Sequence, residues 1–284
     1  MIKFFNYFIQ SFVIYFLLLT GRIFGLKLSR KLFSLIFSII GPFFKSKKII
    51  ETNLNICSQK ILQFNKKIII EEMWKNYGKT FAEYMFLDNF VKKNYIVVKG
   101  EENLIQIKKS GKPVIFVSGH FANFELMSLE ITKKNIPLAA IYRPLNNIFL
   151  NPFMEYLRKK YVCKNQIKKG IGGVREAIEF IKMNHSIALM IDQRVSEGEK
   201  IDFFNSKAST TTLPAQLSIK FDLNIVPVFI KRNKDDTFNI SFQKEISPKN
   251  FSNKTELTQK LNEILEEMVI KNPYQWIWTH NRWK

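Results

Sequence analysis

The sequence predicts an α/β fold: a single domain in which helices flank a mixed, mostly parallel sheet, preceded by an N-terminal membrane-anchoring helix. Three observations support this prediction: an uncharged apolar N-terminus, short apolar strands that alternate with helical segments, and polar residues that follow two of those strands. The 284 residues contain no internal repeat and no low-complexity linker, and 46% of them are hydrophobic. One large domain with a substantial core therefore accounts for the chain behind the anchor.

The N-terminal segment carries no charged residue from Phe4 to Gly21, which reaches the lower length limit for spanning a bilayer. Thr20-Gly21-Arg22 is a poor cleavage site, so we expect an anchor rather than a removable signal peptide. Lys3 alone precedes the apolar run, whereas the basic residues that follow it include Lys27, Arg30, Lys31, Lys45, Lys47 and Lys48. By the positive-inside rule, the rest of the chain is expected on the cytoplasmic side.

A second apolar stretch, residues 32–44, is too short to span a bilayer and contains Gly41-Pro42. We expect it to lie on the membrane as an interfacial helix. The predicted division of the chain is therefore a membrane anchor at residues 1–25 and a folded body at residues 26–284. The alternative, in which both apolar stretches are core helices of a soluble protein, stays open at this point.

The charge of the chain is strongly basic, because 44 Lys and Arg residues against 24 Asp and Glu residues give a formal net charge of +20. Such a charge indicates proximity to polyanions, which include nucleic acid, an anionic membrane face and a phosphorylated substrate. Cys57 and Cys163 lie far apart without a CxxC spacing, so neither a disulfide framework nor a cysteine-rich zinc site is expected. Two reduced cysteines are typical of a cytoplasmic body.

Apolar periodicity divides the body into helices and strands. Helical spacing predicts helices at residues 68–87, 122–134, 175–183, 212–221 and 256–270. Short apolar runs predict strands at residues 95–98, 112–117, 138–142, 187–191 and 225–230, and the alternation at residues 237–242 predicts an exposed strand. Because strands and helices alternate, most strands are expected to be parallel.

Two polar residues follow predicted buried strands: His120 comes after residues 112–117, and Asp192 comes after residues 187–191. In sheets of this type, chemistry gathers at the carboxyl ends of the strands. Both side chains are therefore candidates for a site at that edge of the sheet.

His120 and Glu125 are five residues apart, in the segment GHFANFE at residues 119–125. Inside one regular helix they would lie about 140° apart around the axis and would not face each other. If His120 lies in the loop and Glu125 in the first turns of the helix, the carboxylate can reach one imidazole nitrogen. The other nitrogen is then available to a substrate hydroxyl, as a general base requires. The alternative is a structural loop histidine next to a solvated helix glutamate.

The His-x4-Glu spacing of His120 and Glu125 resembles the catalytic motif of glycerolipid-type acyltransferases. Two further segments narrow the resemblance to the late acyltransferases of lipid A biosynthesis. IYRPLNN at residues 141–147 is similar to that family's YRPxNN block, and the ending QWIWTHNRWK at residues 275–284 is similar to the family's tryptophan-rich ending. The first two tryptophans of this ending are interpreted as packing residues, with an interfacial aromatic anchor as the alternative.

The resemblance extends through the middle of the chain. Arg158 and Lys169 fall where the family has a basic residue and a Lys-Gly step. Asp192-Gln193 opens a segment similar to the family's DQ…G…FFG…A.T pattern. Asn205 departs from this pattern, because the family usually has Gly after the two Phe residues, so the geometry of that turn is expected to differ.

The resemblance implies an acyltransferase of the bacterial inner membrane, with residues 26–284 as the acyltransferase domain. The donor would be a fatty acyl thioester on acyl carrier protein, or less commonly on coenzyme A, and the acceptor a hydroxyl of a lipid A precursor among membrane lipids. The catalytic pair would be His120 and Glu125, and the substrate-binding residues would be Arg143, Arg158, Asp192 and Gln193. No cofactor or metal is expected, since a thiolate leaves readily and the three histidines lack metal-ligand spacing.

Three alternatives stay open on the sequence alone. A related membrane acyltransferase that acts on another glycolipid or on a lysophospholipid would share the superfamily motif. A nucleic-acid-binding protein would fit the net charge, but the chain has no zinc finger, RNP-like aromatic strand or compact basic arm, so no nucleic acid partner is expected. The third alternative is a membrane adaptor that keeps the fold without the chemistry.

Overall fold

A seven-stranded sheet forms the centre of this computed structural model, which describes residues 2–92 and 94–284. The strands in chain order are β1 (Ile96–Lys99), β2 (Ile115–Ser118), β3 (Leu138–Tyr142), β4 (Asn165–Lys168), β5 (Ser186–Met190), β6 (Glu199–Phe203), β7 (Ser206–Thr210), β8 (Ile225–Arg232) and β9 (Phe238–Phe242). The sheet order is β1-β9-β8-β2-β5-β3-β4, and all neighbours are parallel except β8 and β9. β6 and β7 form a separate antiparallel hairpin. The predicted α/β class with a mixed, mostly parallel sheet is confirmed.

Helices cover both faces of this sheet. In chain order they are α1 (Ile2–Phe44), α2 (Lys47–Ile56), α3 (Lys66–Glu83), α4 (Leu87–Lys92), α5 (Glu101–Ser110), α6 (Glu125–Lys133), α7 (Asn151–Tyr161), α8 (Ile171–Lys182), α9 (Leu213–Phe221) and α10 (Lys254–Lys271). Neighbouring residues of one strand belong to different cores: Ile115 and Val117 of β2 pack in a core with α3, α8, α9 and α10. Phe116 packs in the other core, with α4, α5 and α6. This alternation explains why the central strands are apolar without interruption.

Helix α1 joins the two apolar stretches that the sequence predicted separately. It is interrupted at Gly25, whose φ of 75° and ψ of 165° are not helical. The stretch Lys3–Phe43 is long and apolar enough to cross a membrane by length and composition. The part after Gly25 packs on α3 through Phe33, which is buried, and through Phe37, which contacts Tyr77 and Phe81. One face of residues 26–44 is therefore attached to the body.

Some predicted elements differ from the structure. The strand at residues 238–242 is not exposed as predicted, because β9 lies between β1 and β8. Its residues Phe238, Ile240 and Phe242 are buried in the core that also contains Phe90. No prediction from the sequence covered α2, α4, α5, α7, β4 or the β6–β7 hairpin. β4 has one buried apolar residue, Ile167, and thus gives almost no hydrophobic signal.

The C-terminal segment packs inside the molecule. Trp276 and Trp278 are fully buried against each other, with ring centroids 4.7 Å apart. The interpretation of these two residues as packing residues is confirmed, and the aromatic-anchor alternative is wrong for them. Phe121 and Trp276 form an isolated antiparallel bridge, so the tail lies directly beside the loop that follows β2.

Candidate functional site

The carboxyl ends of two neighbouring strands bring His120 and Asp192 together. Ser118 at the end of β2 pairs with Met190 at the end of β5, and each polar residue follows its strand end by two positions. Both side chains therefore lie at the edge of the sheet where the sequence analysis expected a site.

The two side chains are in direct contact. Nδ1 of His120 lies 2.7 Å from Oδ1 of Asp192, and the backbone N–H of His120 donates to Oδ2 of the same carboxylate at 2.8 Å. The indole N–H of Trp276 also donates to Oδ2, at 2.9 Å. Asp192 is buried, and burial alone would raise the pKa of its carboxyl group. The neighbouring His120 and the hydrogen bonds from His120 and Trp276 outweigh burial and lower that pKa to about 2, so the carboxylate is ionised.

Glu125 does not form the contact that its spacing from His120 suggested. Its Oε1 accepts hydrogen bonds from the hydroxyl of Tyr84 at 2.8 Å and from Nε of Arg158 at 2.8 Å, and Nη2 of Arg158 lies 2.6 Å from the same oxygen. The expectation that Glu125 orients the imidazole is therefore wrong in geometry. Glu125 begins α6 and contacts Tyr84, just after α3, and Arg158 of α7, whereas Asp192, which is remote in sequence, holds the ring.

The Glu125–Arg158 pair lies in a buried environment. Burial opposes the charge of Arg158, but Glu125 raises the pKa of the guanidinium, which stays cationic. Burial and the Glu125 charge both raise the pKa of Tyr84, so its hydroxyl stays protonated and can donate. Nη1 of Arg158 is buried without a hydrogen-bond partner among the described residues. A fixed cation with an unused donor is thus available beside Glu125.

A buried polar network supports the loop between His120 and Glu125. Ala122 has a φ of 46°, a left-handed conformation that non-glycine residues adopt only when neighbours hold it. The hydroxyl of Thr80 donates to the carbonyl of Ala122 at 3.0 Å. Asn123 donates to Oε2 of Glu83 at 2.9 Å, and both carboxylate oxygens of Glu83 accept from Arg232. The loop is therefore tied to α3 and β8.

His120 and Glu125 both line one large cavity, whose volume is about 840 Å³. This volume falls in the range expected for sites that enclose organic ligands. The apolar part of its lining is contributed by α1, α6, α7 and the loop after β3, and includes Ile14, Leu18, Met127, Leu150, Phe153, Met154 and Val162. Its polar part includes Tyr84, His120, Glu125, Arg143, Arg158, Lys169, Gln193 and His280. The cavity thus combines a long apolar wall with a cluster of charged groups.

The positive part of the cavity comes from the next strands of the sheet. Arg143 follows β3 and Lys169 follows β4, and β3 and β4 are neighbours. Neither residue has a carboxylate partner in the part of the chain that the structure describes. Desolvation and the nearby Arg143 charge lower the pKa of Lys169. Two cations that lie close together without an acid between them form a surface suited to an anionic ligand group.

Of the six site residues expected from the sequence, five line the cavity: His120, Glu125, Arg143, Arg158 and Gln193. The sixth, Asp192, lies behind His120 and contacts its ring. Tyr84, Trp276 and His280 contact or line the same site, and no role in the site was predicted for them from the sequence. Only Trp276 and His280 had a signal, since both lie in the tryptophan-rich ending.

The hairpin of β6 and β7 explains why Asn205 can stand where the resembling family usually has Gly. The two turn residues, Phe204 and Asn205, have φ angles of 54° and 56°. A two-residue hairpin turn of type I′ has positive φ at both positions, and Asn adopts this conformation more readily than most residues. Asn205 therefore satisfies the backbone requirement that Gly would otherwise meet.

Comparison with known proteins agrees with the residue pattern. The chain matches the family described as bacterial lipid A biosynthesis acyltransferase over residues 2–284. A lipid A biosynthesis acyltransferase of Haemophilus influenzae is 22% identical over 89% of this chain and 82% of the relative. A lipid A biosynthesis palmitoleoyltransferase of Escherichia coli is 24% identical over 86% of this chain and 80% of the relative. A solved structure, the 1-acyl-sn-glycerophosphate acyltransferase of Thermotoga maritima, is 17% identical, with a TM-score of 0.43, and the match covers 89% of this chain and all of the other.

Because the family match extends over nearly the whole chain, the protein belongs to the bacterial lipid A biosynthesis acyltransferase family. It is therefore an acyltransferase, and its long apolar N-terminal helix fits membrane association.

Proposed function

We propose that this acyltransferase transfers a fatty acyl chain from the thioester of acyl carrier protein to a hydroxyl of a lipid A precursor, with His120 as the general base. The observation that carries the proposal is the His120–Asp192 contact at the surface of a cavity that has both an apolar wall and two cations, Arg143 and Lys169, without a carboxylate partner among the described residues. A lipid acceptor with sugar phosphates and acyl chains would match both parts of this cavity.

The His120 ring is oriented for proton transfer. Because Nδ1 is held by the Asp192 carboxylate, Nε2 is the nitrogen available to the acceptor hydroxyl. In the reaction, Nε2 takes the hydroxyl proton while the oxygen forms a bond to the thioester carbonyl carbon. The carbon–sulfur bond then breaks, and the imidazolium returns the proton to the departing thiolate. The ionised carboxylate of Asp192 stabilises the imidazolium between these steps.

Arg158 is assigned the role of stabilising the negative charge that develops on the thioester oxygen during the reaction. Its guanidinium lines the cavity, is fixed by Glu125, and keeps Nη1 without a protein acceptor among the described residues. A preorganised cation in a site with little water stabilises a tetrahedral oxyanion. In this assignment Glu125 acts as a positioning residue for Arg158 rather than as the partner of His120.

Arg143, Lys169 and Gln193 are assigned to substrate binding. Arg143 presents a rigid fork of donors that fits a phosphate group, and Lys169 adds a second positive charge at the same end of the cavity. The phosphorylated sugar of a lipid A precursor would supply the negative charge. Gln193 follows Asp192 and offers a neutral donor and acceptor to the same substrate.

The proposed location is the cytoplasmic side of the bacterial inner membrane. Support comes from the outward face of α1, where Phe5, Ile9, Phe12 and Phe16 are exposed. An exposed apolar surface of this kind is typical of contact with a membrane. The basic residues that follow the apolar run favour the cytoplasmic side. Residues 1–25 are thus proposed as the single anchor and residues 26–284 as the acyltransferase domain.

Mass spectrometry of lipid A from a deletion strain tests the proposal. We expect lipid A that lacks one secondary acyl chain, and restoration of that chain by the wild-type gene but not by a His120→Ala gene. The mass lost also identifies the chain transferred. Unchanged lipid A together with altered phospholipids or another altered glycolipid would contradict the proposal and assign the enzyme to a different acceptor.

A further inference from the structure

The part of α1 before Gly25, residues 2–24, has one covered face. Tyr7, Gln10, Ile14 and Leu18 line the cavity, and their spacing places them in one stripe along the helix. We call these four residues the cavity stripe. Leu18 is 3% exposed, whereas Phe12 and Phe16 on the opposite side are 68% and 60% exposed. An anchor that only held the protein in lipid would not need a stripe that lines the cavity, with Leu18 buried in it.

Hydrogen bonds hold this part of α1 against the loop that follows β3. The hydroxyl of Ser11 donates to Oδ1 of Asn147 at 2.9 Å, and Nδ2 of Asn147 donates to the carbonyl of Tyr7 at 2.9 Å. The hydroxyl of Tyr15 donates to the carbonyl of Phe149 at 2.8 Å. Ser11 and Asn147 are both buried, so this hydrogen bond belongs to the packed interior rather than to the surface. The loop that carries Arg143 is thereby attached to the helix.

The backbone at Gly25 sets the direction of residues 2–24. Its φ of 75° and ψ of 165° belong to a region that only glycine adopts without strain. A Cβ at this position would meet no atom within 4 Å, so space alone does not require glycine there. The part of α1 after Gly25 is fixed separately, because Arg30 forms a buried ion pair with Glu83 of α3. The change of direction that places residues 2–24 beside the cavity therefore occurs at one residue, Gly25.

We propose that residues 2–24 of α1 form a wall of the subsite that binds the alkyl chain of the substrate, with Ile14 and Leu18 in contact with that chain. This inference rests on the proposed acyl transfer and assigns a binding role to a segment otherwise needed only for attachment to the membrane. The cavity stripe extends over about 16 Å at 1.5 Å per residue, a length suited to an extended alkyl chain. Phe153 and Met154 of α7 line the same cavity and complete its apolar surface.

Matched alanine variants on the two sides of the helix test this inference. Ile14→Ala and Leu18→Ala remove apolar groups from the cavity stripe, and Phe12→Ala and Phe16→Ala remove them from the exposed side. All four are assayed as full-length protein in detergent, with acyl donors of several chain lengths. The first pair is expected to raise KM for the preferred chain about tenfold and to shift the preference towards longer chains. A tenfold change corresponds to about 1.4 kcal/mol, which is the contribution of roughly two buried CH₂ groups. The second pair is expected to keep the wild-type preference.

A cavity-filling variant makes the test independent of lost stability. Ile14→Phe adds volume to the same wall and is expected to shift the preference towards shorter chains.

Gly25→Ala tests the turn between the two parts of α1. It is expected to lower the rate of acyl transfer although the new methyl group contacts nothing, because the backbone conformation becomes strained. Gly172→Ala is the control, since its Cβ also meets no atom within 4 Å and its φ is ordinary.

The outcomes separate this inference from the proposed function. If the wild-type protein transfers no acyl chain to a lipid A precursor, the proposed function fails. If the wild type is active and the Ile14 and Leu18 variants are folded with unchanged KM and chain preference, the inference is overturned. Equal effects of substitutions on both sides of the helix would also overturn it, because they would indicate attachment to detergent or lipid alone.

Discussion

The Asp192 carboxylate contacts His120 at two points, because Oδ1 lies 2.7 Å from the ring Nδ1 and Oδ2 accepts the backbone N–H at 2.8 Å. The first contact fixes the orientation of the imidazole, and the second fixes the loop that carries it. Asp192 thereby takes the place that the sequence spacing suggested for Glu125. Glu125 instead pairs with Arg158, so two separate side-chain contacts, and not one, support the site.

Asp192→Asn is expected to lower turnover by about 10²–10⁴-fold, because the amide keeps the size of the side chain but loses the charge that stabilises the imidazolium. Steady-state kinetics of the purified protein in detergent would measure this loss. Trp276→Phe is the comparison, since it removes one hydrogen bond to Oδ2 and some packing volume but leaves the Asp192 charge in place, and we expect a loss of turnover of about tenfold at most. Wild-type turnover in a folded Asp192→Asn protein would rule out the orienting role.

Glu125→Gln and Arg158→Met are each expected to destabilise the protein by about 3–5 kcal/mol, because each leaves the other partner as an unpaired buried charge. The double variant should lose less free energy of unfolding than the two single variants together, since it leaves neither charge unpaired. Thermal or denaturant unfolding of the wild type, the two single variants and the double variant measures this double-mutant cycle. Strictly additive losses would mean that the two side chains do not interact in the folded protein.

His280 is expected to make stability depend on pH between about 6.5, the ordinary pKa of histidine, and about 4, its folded-state pKa, which burial lowers. Its Nε2 accepts the backbone N–H of Arg194 at 2.8 Å, which requires an unprotonated nitrogen. As pH falls through this window, the unfolded chain binds a proton that the folded chain does not, so stability decreases. Melting temperatures of the wild type should therefore fall more steeply between pH 7 and pH 4.5 than those of His280→Gln. Parallel curves for the two proteins would contradict this assignment.

Arg143→Ala is expected to raise KM for the phosphorylated acceptor by about 10- to 100-fold, because a hydrogen bond to a charged group contributes about 1.5–3 kcal/mol. Arg143→Lys should be milder, since it keeps the charge but loses the donor fork. Kinetics with the acceptor varied and the acyl donor saturating would measure the change. Lys164→Ala, an exposed lysine outside the cavity lining, is the control. An unchanged KM for Arg143→Ala would show that Arg143 does not bind the acceptor.

The sequence was sufficient to predict the fold class and the edge of the sheet that carries the site. Long apolar strands such as residues 187–191 have a strong signal, and the polar residues His120 and Asp192 at their ends follow from the rules of parallel sheets. The strand β4 and the helix α7 were not predicted, because their burial depends on partners distant in sequence. Ile167 is the single buried residue of β4.

The pairing inside the site could not be read from spacing. His120 and Glu125 are near in sequence, but the contact that forms joins His120 to a residue 72 positions away, across two neighbouring strands. No local pattern encodes such a contact. The same reason explains why Tyr84 of the α3–α4 region and Leu18 of α1 were not expected to line the cavity.

The turnover of His120→Ala, with acyl carrier protein thioester and a lipid A precursor as substrates, tests the central claim most directly. We expect a decrease of at least about 10²-fold, because general-base catalysis contributes this much or more. The melting temperature should stay close to that of the wild type, since the side chain borders the cavity rather than filling the core. A folded His120→Ala protein with wild-type turnover would contradict the account.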